Sequence, residues 1–323
     1  MIISRAPLRI SFAGGLTDIA DYYENSEYGA VLSTSIDKYV YVTVNKNFEN
    51  KFRISYSKTE IVDTIEEIEH PIVRECLRLL DIKEGLEITT IGDIPAGTGL
   101  GSSSTFTVAL LHALHRYKGD KPTKHQLAEE ASYIEIDVLK EPIGKQDQYA
   151  SAFGGLNYIQ FHRDFVKVIP IMINEKTRNI LDNHLKMYYI GNKKLAKDVL
   201  EQQVSTFEEK RYQLDSLRDI AGFMRNVFLR KEFNLYDFGR LLDEQWKMKR
   251  TMKGVTNDSI DNLYKYAKDD SALGGKVCGA GGRGFLLLLG DDINRLNRAI
   301  EARGYYSTEF NFEDKGSEII YEQ

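Results

Sequence analysis

The most constraining feature of this chain is a glycine-rich turn that runs without a break into an apolar helical stretch, "IGDIPAGTGLGSSSTFTVALLHALHRY" at residues 91–117. Alternating glycines and then three serines precede residues whose apolar positions recur at helical spacing, so the turn must deliver the chain into a helix whose first N–H groups lack intrahelical partners. Such a turn aims backbone N–H groups, the positive end of the helix dipole and the hydroxyls of Ser102, Ser103 and Ser104 at one spot, and that arrangement holds an anion. A phosphate is its natural occupant. The Walker loop does the same with Gly-Lys-Ser/Thr, but no lysine occurs from residue 84 to residue 117. Taken by itself, the stretch is compatible with a plain helix cap or with a phosphate site.

Composition narrows the class. At 323 residues the chain exceeds the usual size of a single domain, so two domains or one large one are expected. With 42% hydrophobic and 28% charged residues it reads as an ordinary globular protein. A formal charge of −5 argues against general nucleic-acid or anionic-membrane binding, so an anionic partner must be met by a local pocket. The start, "MIISRAPLRISFAGG", has no basic run before an apolar one, and no window reaches the roughly 18 apolar residues of a membrane span. The expectation is a cytoplasmic protein with no nucleic-acid or membrane partner; a homodimer is left open. Cys76 and Cys278 lie in apolar segments without C-x-x-C spacing, which predicts buried, reduced thiols. His112 and His115 share a helix face but have no third ligand nearby in the motif, so they predict no metal site.

Along the chain, β-rich sequence precedes helix-rich sequence. "PLRISFAG", "GAVLSTSI", "YVYVTVNKNF" and "KFRISY" predict four strands before residue 57. A helix is expected in "HPIVRECLRLL", a strand in "GLEITTIGD", a helix from near Ser102 to Tyr117, and another in "TKHQLAEEASYIEIDVL" with Thr123 as N-cap. "GGLNYIQFH", "FVKVIPIMI" and "KMYYIG" read as strands, followed by amphipathic helices across 195–251 and 258–268. The end reads strand, helix, strand, strand in "GGKVCGAGGRGFLLLLG", "DINRLNRAIEARG", "YYSTEFNF" and "SEIIYE". This is α+β order, with no repeat and no low-complexity linker.

Four segments, "RAPLRISFAGGLTDIADY" (5–22), "PAGTGLGSSS" (95–104), "IEIDVLKEPIGKQDQYASAFGG" (134–155) and "GGKVCGAGGRGFLLLL" (274–289), stand in that order. They resemble the three signature motifs and the catalytic segment of the GHMP kinases, the superfamily named for galactokinase, homoserine kinase, mevalonate kinase and phosphomevalonate kinase. The resemblance spans nearly the whole chain. It implies a two-domain α+β GHMP kinase fold with the active site in the cleft between the domains. Residues 1–175 would form the N-terminal domain, with the phosphate loop and catalytic aspartate, and residues 176–323 the C-terminal domain, with the glycine-rich third motif.

The resemblance implies that Pro95, Gly97, Gly99, Leu100, Gly101, Ser102, Ser103 and Ser104 surround the phosphates of ATP, and that Ser103 and Glu135 ligate Mg²⁺. One hydroxyl and one carboxylate suffice for an ion that keeps waters and phosphate oxygens. Asp147 falls on the catalytic aspartate and Arg9 on the arginine that pairs with it in galactokinases. A guanidinium keeps a carboxylate ionised, able to orient a sugar hydroxyl and accept its proton. Gly14, Gly15, Thr17, Asp18, Asp147, Lys193, Gly281, Gly282 and Arg283 are implied on the substrate side. Arg283 stands where the family usually has another glycine, and the "GNKKLAK" run that holds Lys193 reads either as a solvated face or as an approach to the sugar.

Galactokinases carry Gly-Glu-His-x-Asp where this chain has "GGLTD", so Asp18 is kept while Gly15 and Leu16 replace glutamate and histidine, which disfavours galactose. This version resembles the subgroup that phosphorylates heptose 7-phosphates and fucose on the anomeric hydroxyl. The expectation is ATP- and Mg²⁺-dependent phosphorylation of a sugar phosphate, D-glycero-D-manno-heptose 7-phosphate, at C1, giving a 1,7-bisphosphate for nucleotide-activated heptose and surface polysaccharide. Alternatives are an L-fucose-type or other sugar 1-kinase and a GHMP-fold sensor that binds sugar and ATP without turnover.

Overall fold

The computed structural model describes residues 1–191 and 211–323; Lys193 and part of the helical segment expected from 195 lie outside the described residues. The first half of the chain runs β1 (Ile2–Ala13), α1 (Ala20–Tyr23), β2 (Gly29–Lys46), β3 (Phe52–Ser55), β4 (Thr59–Val62), α2 (Pro71–Leu79) and β5 (Leu86–Gly92). It continues through α3 (Ser102–Tyr117), α4 (Lys124–Ser132), α5 (Gln146–Phe153), β6 (Leu156–Phe161) and β7 (Val166–Pro170). Then come α6 (Glu175–His184), β8 (Leu185–Gly191), α7 (Arg211–Phe228), α8 (Leu235–Lys249) and α9 (Asp258–Asp270). The chain ends with β9 (Ala272–Val277), β10 (Gly284–Gly290), α10 (Ile293–Glu301), β11 (Ser307–Thr308) and β12 (Glu318–Glu322).

Among the described residues the strands form two sheets. The larger has the order β12-β1-β2-β5-β3-β4, with β6 on β2 and β7 on β6; the smaller is β11-β8-β10-β9. Helices α3 and α5 pack on the inner strands of the large sheet, where Leu8, Ile10 and Phe12 are fully buried, while α8 covers β9 of the small one. The last strand returns to the first, Ile2 standing opposite Glu322, so both ends of the chain belong to one sheet. This is the two-domain α+β architecture expected from the motifs.

Several local readings differ from the outcome for identifiable reasons. "GAVLSTSI" and "YVYVTVNKNF" are one 18-residue strand, β2. Its polar middle reads as a break, yet Ser35 is buried there, its N–H bonded to Gly155 O at 3.1 Å and its hydroxyl to Ala150 O at 3.0 Å. Thr123 caps α4 as expected, accepting from Gln126 N–H, but the helix then widens into a π-helical turn over Tyr133–Val138. Helix α6 has no counterpart in the sequence reading, although Asn174 caps it and accepts from Thr177 N–H. "YYSTEFNF" supplies only the two-residue β11. Cys76 and Cys278 are free and buried, as their apolar neighbours imply.

The large sheet meets the helix that covers the small one across an aromatic contact. Phe12 of β1 stands edge-on to Phe238 of α8, centroids 5.3 Å apart, and to Phe312, 6.5 Å away. Phe12→Ala removes this ring from a fully buried position and is expected to cost about 3–5 kcal/mol of stability, measured as a lowered urea midpoint at unchanged slope.

Candidate active site

A register shift in β1 begins the site. Pairing with β2 slips between Pro7, opposite Tyr39, and Arg9, opposite Ser35. Proline has no N–H to give the ladder, and beyond it the Arg9 N–H leaves the sheet to donate to Leu100 O at 3.1 Å. The Arg9 side chain follows. Its Nε donates to Asp147 Oδ1 at 2.6 Å and Nη2 to Oδ2 at 2.8 Å, while Nη1 donates to Gly99 O at 2.7 Å. The guanidinium is 5% exposed and the aspartate 26%, so the carboxylate keeps an open side on the cleft.

The glycine-serine turn feeds α3 as its sequence predicts. Gly101 sits at φ 81° and ψ 21° as N-cap, a conformation that side chains resist, and offers no group to accept from the first turn. The N–H groups there remain available to a ligand. Ser102 Oγ is buried with no hydrogen-bond partner, an orphan that an oxygen-rich occupant would satisfy. Gly99 lies directly against Gly279 of the loop after β9, so the turn touches the glycine-rich stretch of the C-terminal half.

Ser103 Oγ donates to Glu135 Oε1 at 3.1 Å, and Gln148 Nε2 donates to Oε2 at 2.7 Å. Glu135 lies in the π-helical turn, a local widening that recurs at functional positions. Burial is the main reason its carboxyl is pushed up to about 7, against the opposing pull of hydroxyl and amide donors. A hydroxyl and a buried carboxylate side by side fit a hard divalent cation, which would favour the ionised form.

Asp18 is buried and holds two loops together. Its Oδ1 accepts from Leu16 N–H at 3.0 Å and its Oδ2 from Gln146 N–H at 3.1 Å. Burial first, and then Asp147, raise its pKa above the ordinary carboxylate value. Two lysines lie close by. Lys249, at the end of α8, donates to Gly279 O at 2.7 Å and is lowered to about 8 by burial, partly offset by Asp18. Lys276 is buried, bonded to Ser11 O and held well below its ordinary value by burial and by Lys249.

Most of these groups, Lys276 and Gln148 excepted, line a cavity of about 450 Å³ between the two halves. Of the residues named from the sequence, Arg9, Gly15, Asp18, Gly97, Gly99, Gly101, Ser102, Ser103, Ser104, Glu135 and Asp147 line it together. Others stand behind it. Thr17 bonds Gly14 O at 2.7 Å and Ala30 O at 2.9 Å, closing the first loop onto β2. Leu100 is buried, and Pro95 O accepts from Thr98 Oγ1. Gly282 N–H bonds Val255 O, Gly281 packs on the same carbonyl, and Arg283 lies against Gly97. His112 bonds Ser317 and His115 bonds Glu130, both outside the cavity lining.

The sequence reading missed Ser11, Gln146 and Lys249, and an apolar wall of Pro71, Ile72, Leu139 and Ile143. Gln146 was within reach, since it adjoins Asp147 in "GKQDQY" and its Nε2 bonds that carboxylate at 3.3 Å. Nothing local marks Lys249, whose "WKMKR" context reads as an ordinary helix end.

The raised Glu135 pKa has a stability consequence of defined sign. An acid whose folded pKa exceeds its unfolded one contributes stability that is present below 4.5 and lost as pH rises to about 7. Relative to Glu135→Gln, whose amide does not titrate, the wild type should lose stability between those pH values by an amount on the order of 1–3 kcal/mol. Denaturant unfolding of both proteins in chelator at pH 4.5 and 7.5 measures the difference, and added Mg²⁺ should restore the wild type alone.

Comparison with known proteins agrees with this arrangement. The GHMP kinases N terminal domain matches residues 61–155 and the GHMP kinases C terminal domain residues 227–306. The D-glycero-alpha-D-manno-heptose 7-phosphate kinase of Campylobacter jejuni is 28% identical over 98% of this chain and 97% of its own. The L-fucokinase/L-fucose-1-P guanylyltransferase of Bacteroides fragilis is 28% identical over 90% of this chain and 35% of that longer protein. A crystal structure described as a D-glycero-D-manno-heptose 1-phosphate kinase from Bacteroides thetaiotaomicron superposes with a TM-score of 0.84 at 24% identity, covering 100% of both chains. No helix among the described residues is long and apolar enough to cross a membrane. With both domains matched and the cleft assembled between them, this chain belongs to the GHMP kinases and is an ATP-dependent carbohydrate kinase.

Proposed function

We propose that this kinase transfers the γ-phosphoryl group of ATP to the anomeric C1 hydroxyl of D-glycero-D-manno-heptose 7-phosphate, giving the 1,7-bisphosphate used to build nucleotide-activated heptose. The observation that carries the reading is the bidentate Arg9–Asp147 pair opening onto the same cleft as the uncapped N-terminus of α3. The name of the full-length Campylobacter jejuni relative supports the choice of sugar. We place the domain division near residue 175, at the start of α6, with β12 returning to the large sheet, and the work of the enzyme in the cytoplasm.

In this reading the β- and γ-phosphates of ATP lie on the turn from Gly97 to Ser104, held by the first N–H groups of α3 and by the Ser102 hydroxyl. The apolar wall of Pro71, Ile72, Leu139 and Ile143 suits the nucleotide base. Ser103 and Glu135 would hold Mg²⁺, which when bound neutralises phosphate charge. The sugar lies against Gly15 and Asp18 and offers its hydroxyl to the open side of Asp147. Arg9 fixes that carboxylate in position with two hydrogen bonds, so Asp147 accepts the hydroxyl proton as the oxygen bonds to phosphorus and the bond to ADP breaks. Ground-state alignment supplies most of the acceleration in such a site.

The assignment is tested by offering ATP with heptose 7-phosphate, mannose 6-phosphate, L-fucose and galactose, with NMR of the product; strong turnover of fucose with none of heptose 7-phosphate would replace the substrate by the fucose alternative. Asp147→Asn should lower kcat by about 100-fold or more while leaving the nucleotide Kd nearly unchanged. Gly101→Val should fold yet lose ATP binding, since a branched residue resists its backbone conformation and a Cβ there would press on Asp147 at 3.1 Å. Calorimetric titration with a nonhydrolysable ATP analogue reads both variants.

A further inference from the structure

We propose that Lys249 is the group that receives the acceptor's own phosphate, the one already present on the sugar before transfer. The inference rests on the sugar-phosphate reading above and adds to it a residue that sequence reasoning did not reach. Among the described residues lining the cleft, the cations are Arg9 and Lys249. Arg9 has its Nε and Nη2 on Asp147 and its Nη1 on Gly99 O, which leaves little for a ligand. Lys249 is different. It is 3% exposed, stands in no ion pair among the described residues, and has one hydrogen-bond partner there, the carbonyl of Gly279. An ammonium has three N–H donors, so two remain for an occupant.

The space beside it is shaped for one. A Cβ on Gly15 would stand 3.6 Å from Lys249 Nζ and 3.9 Å from Ser11 Oγ, with no other heavy atom within 4 Å, so the missing side chain leaves room directly in front of the ammonium. Gly15 is not in the left-handed region, so backbone conformation does not explain the glycine. A buried ammonium without a carboxylate partner is costly, and burial indeed lowers its pKa. A phosphate dianion at this spot removes that cost and accepts charge-assisted hydrogen bonds from Nζ, while the Ser11 hydroxyl beside it stays on Gln146 Oε1 at 2.9 Å. Arg283, by contrast, lies beside Gly97, on the side of the phosphate turn.

The test compares kcat/KM for heptose 7-phosphate and for the unphosphorylated heptose in the wild type, in Lys249→Gln, whose amide can still donate to Gly279 O, and in Gly15→Asp, which sets a carboxylate before the ammonium. The expected result is a wild-type preference for the phosphorylated sugar that falls about tenfold or more in each variant through KM of the sugar phosphate, with KM for ATP within about twofold of wild type. Melting temperatures confirm folding, and the Gly15→Asp result stands even if Lys249→Gln fails to fold. A preference unchanged in the variants overturns this inference alone, as does an effect that falls on KM for ATP. A wild type that shows no preference for the phosphorylated sugar overturns the substrate reading, and this inference with it.

Discussion

One guanidinium holds the working parts of this enzyme in place. Arg9 enters from β1, and through four hydrogen bonds, one from its backbone and three from its side chain, it ties that strand to Leu100 and Gly99 of the phosphate turn and to Asp147 of α5. Arginine suits the role because its planar fork matches a carboxylate with two donors and keeps a third for a carbonyl. Past the slip in register at Pro7, Arg9 stands opposite Ser35 but gives its N–H to Leu100 O, so an irregularity in one strand accompanies the turn of the central residue toward the cleft. The large sheet, packed on α3 and α5, supplies the rigidity against which those bonds are made.

Ionisable groups removed from water gather in the cleft and just behind it. Asp18, Glu135, Lys249 and Lys276 are all buried, and burial is the leading cause of each pKa shift, upward for the acids and downward for the lysines. Each has hydrogen-bond partners, which limits the cost without removing it. A folded core designed only for stability would replace such groups by apolar ones. Their presence is explained by a reaction that brings highly charged phosphates into the same volume, where preorganised dipoles and charges act more strongly than in water.

Contact between the two halves is direct rather than mediated by a long linker. Gly99 meets Gly279 backbone to backbone, Lys276 reaches across to Ser11 O, and Phe12 packs on Phe238. Gly279 and Gly284 of the third motif therefore serve close approach to the turn of residues 98–99, and residues from both halves line one cavity. For phosphoryl transfer, where alignment and charge neutralisation do most of the work, one cavity lined from both halves is an economical arrangement.

Local chemistry made much of this legible. The α3 start at Ser102 follows from glycine and serine ahead of an apolar helical pattern and the Thr123 cap from its hydroxyl, while the pairing of Arg9 with Asp147 was implied by the family resemblance of their two motifs. Where the reading stopped, the deciding contacts were distant in the chain. Strand β2 runs through its polar middle because Ser35 finds partners at Ala150 and Gly155, more than a hundred residues away. The π-helical turn that carries Glu135 and the burial of Lys249 against Gly279 likewise have no short-range signature, since a helix end rich in lysine looks the same whether it faces solvent or a cleft. Sequence alone determined which segments would turn and cap, because those properties reside in backbone freedom and nearby hydroxyls. Tertiary structure alone decided which charges would leave water and face one another, because desolvation depends on what packs around a side chain and not on its neighbours in the chain.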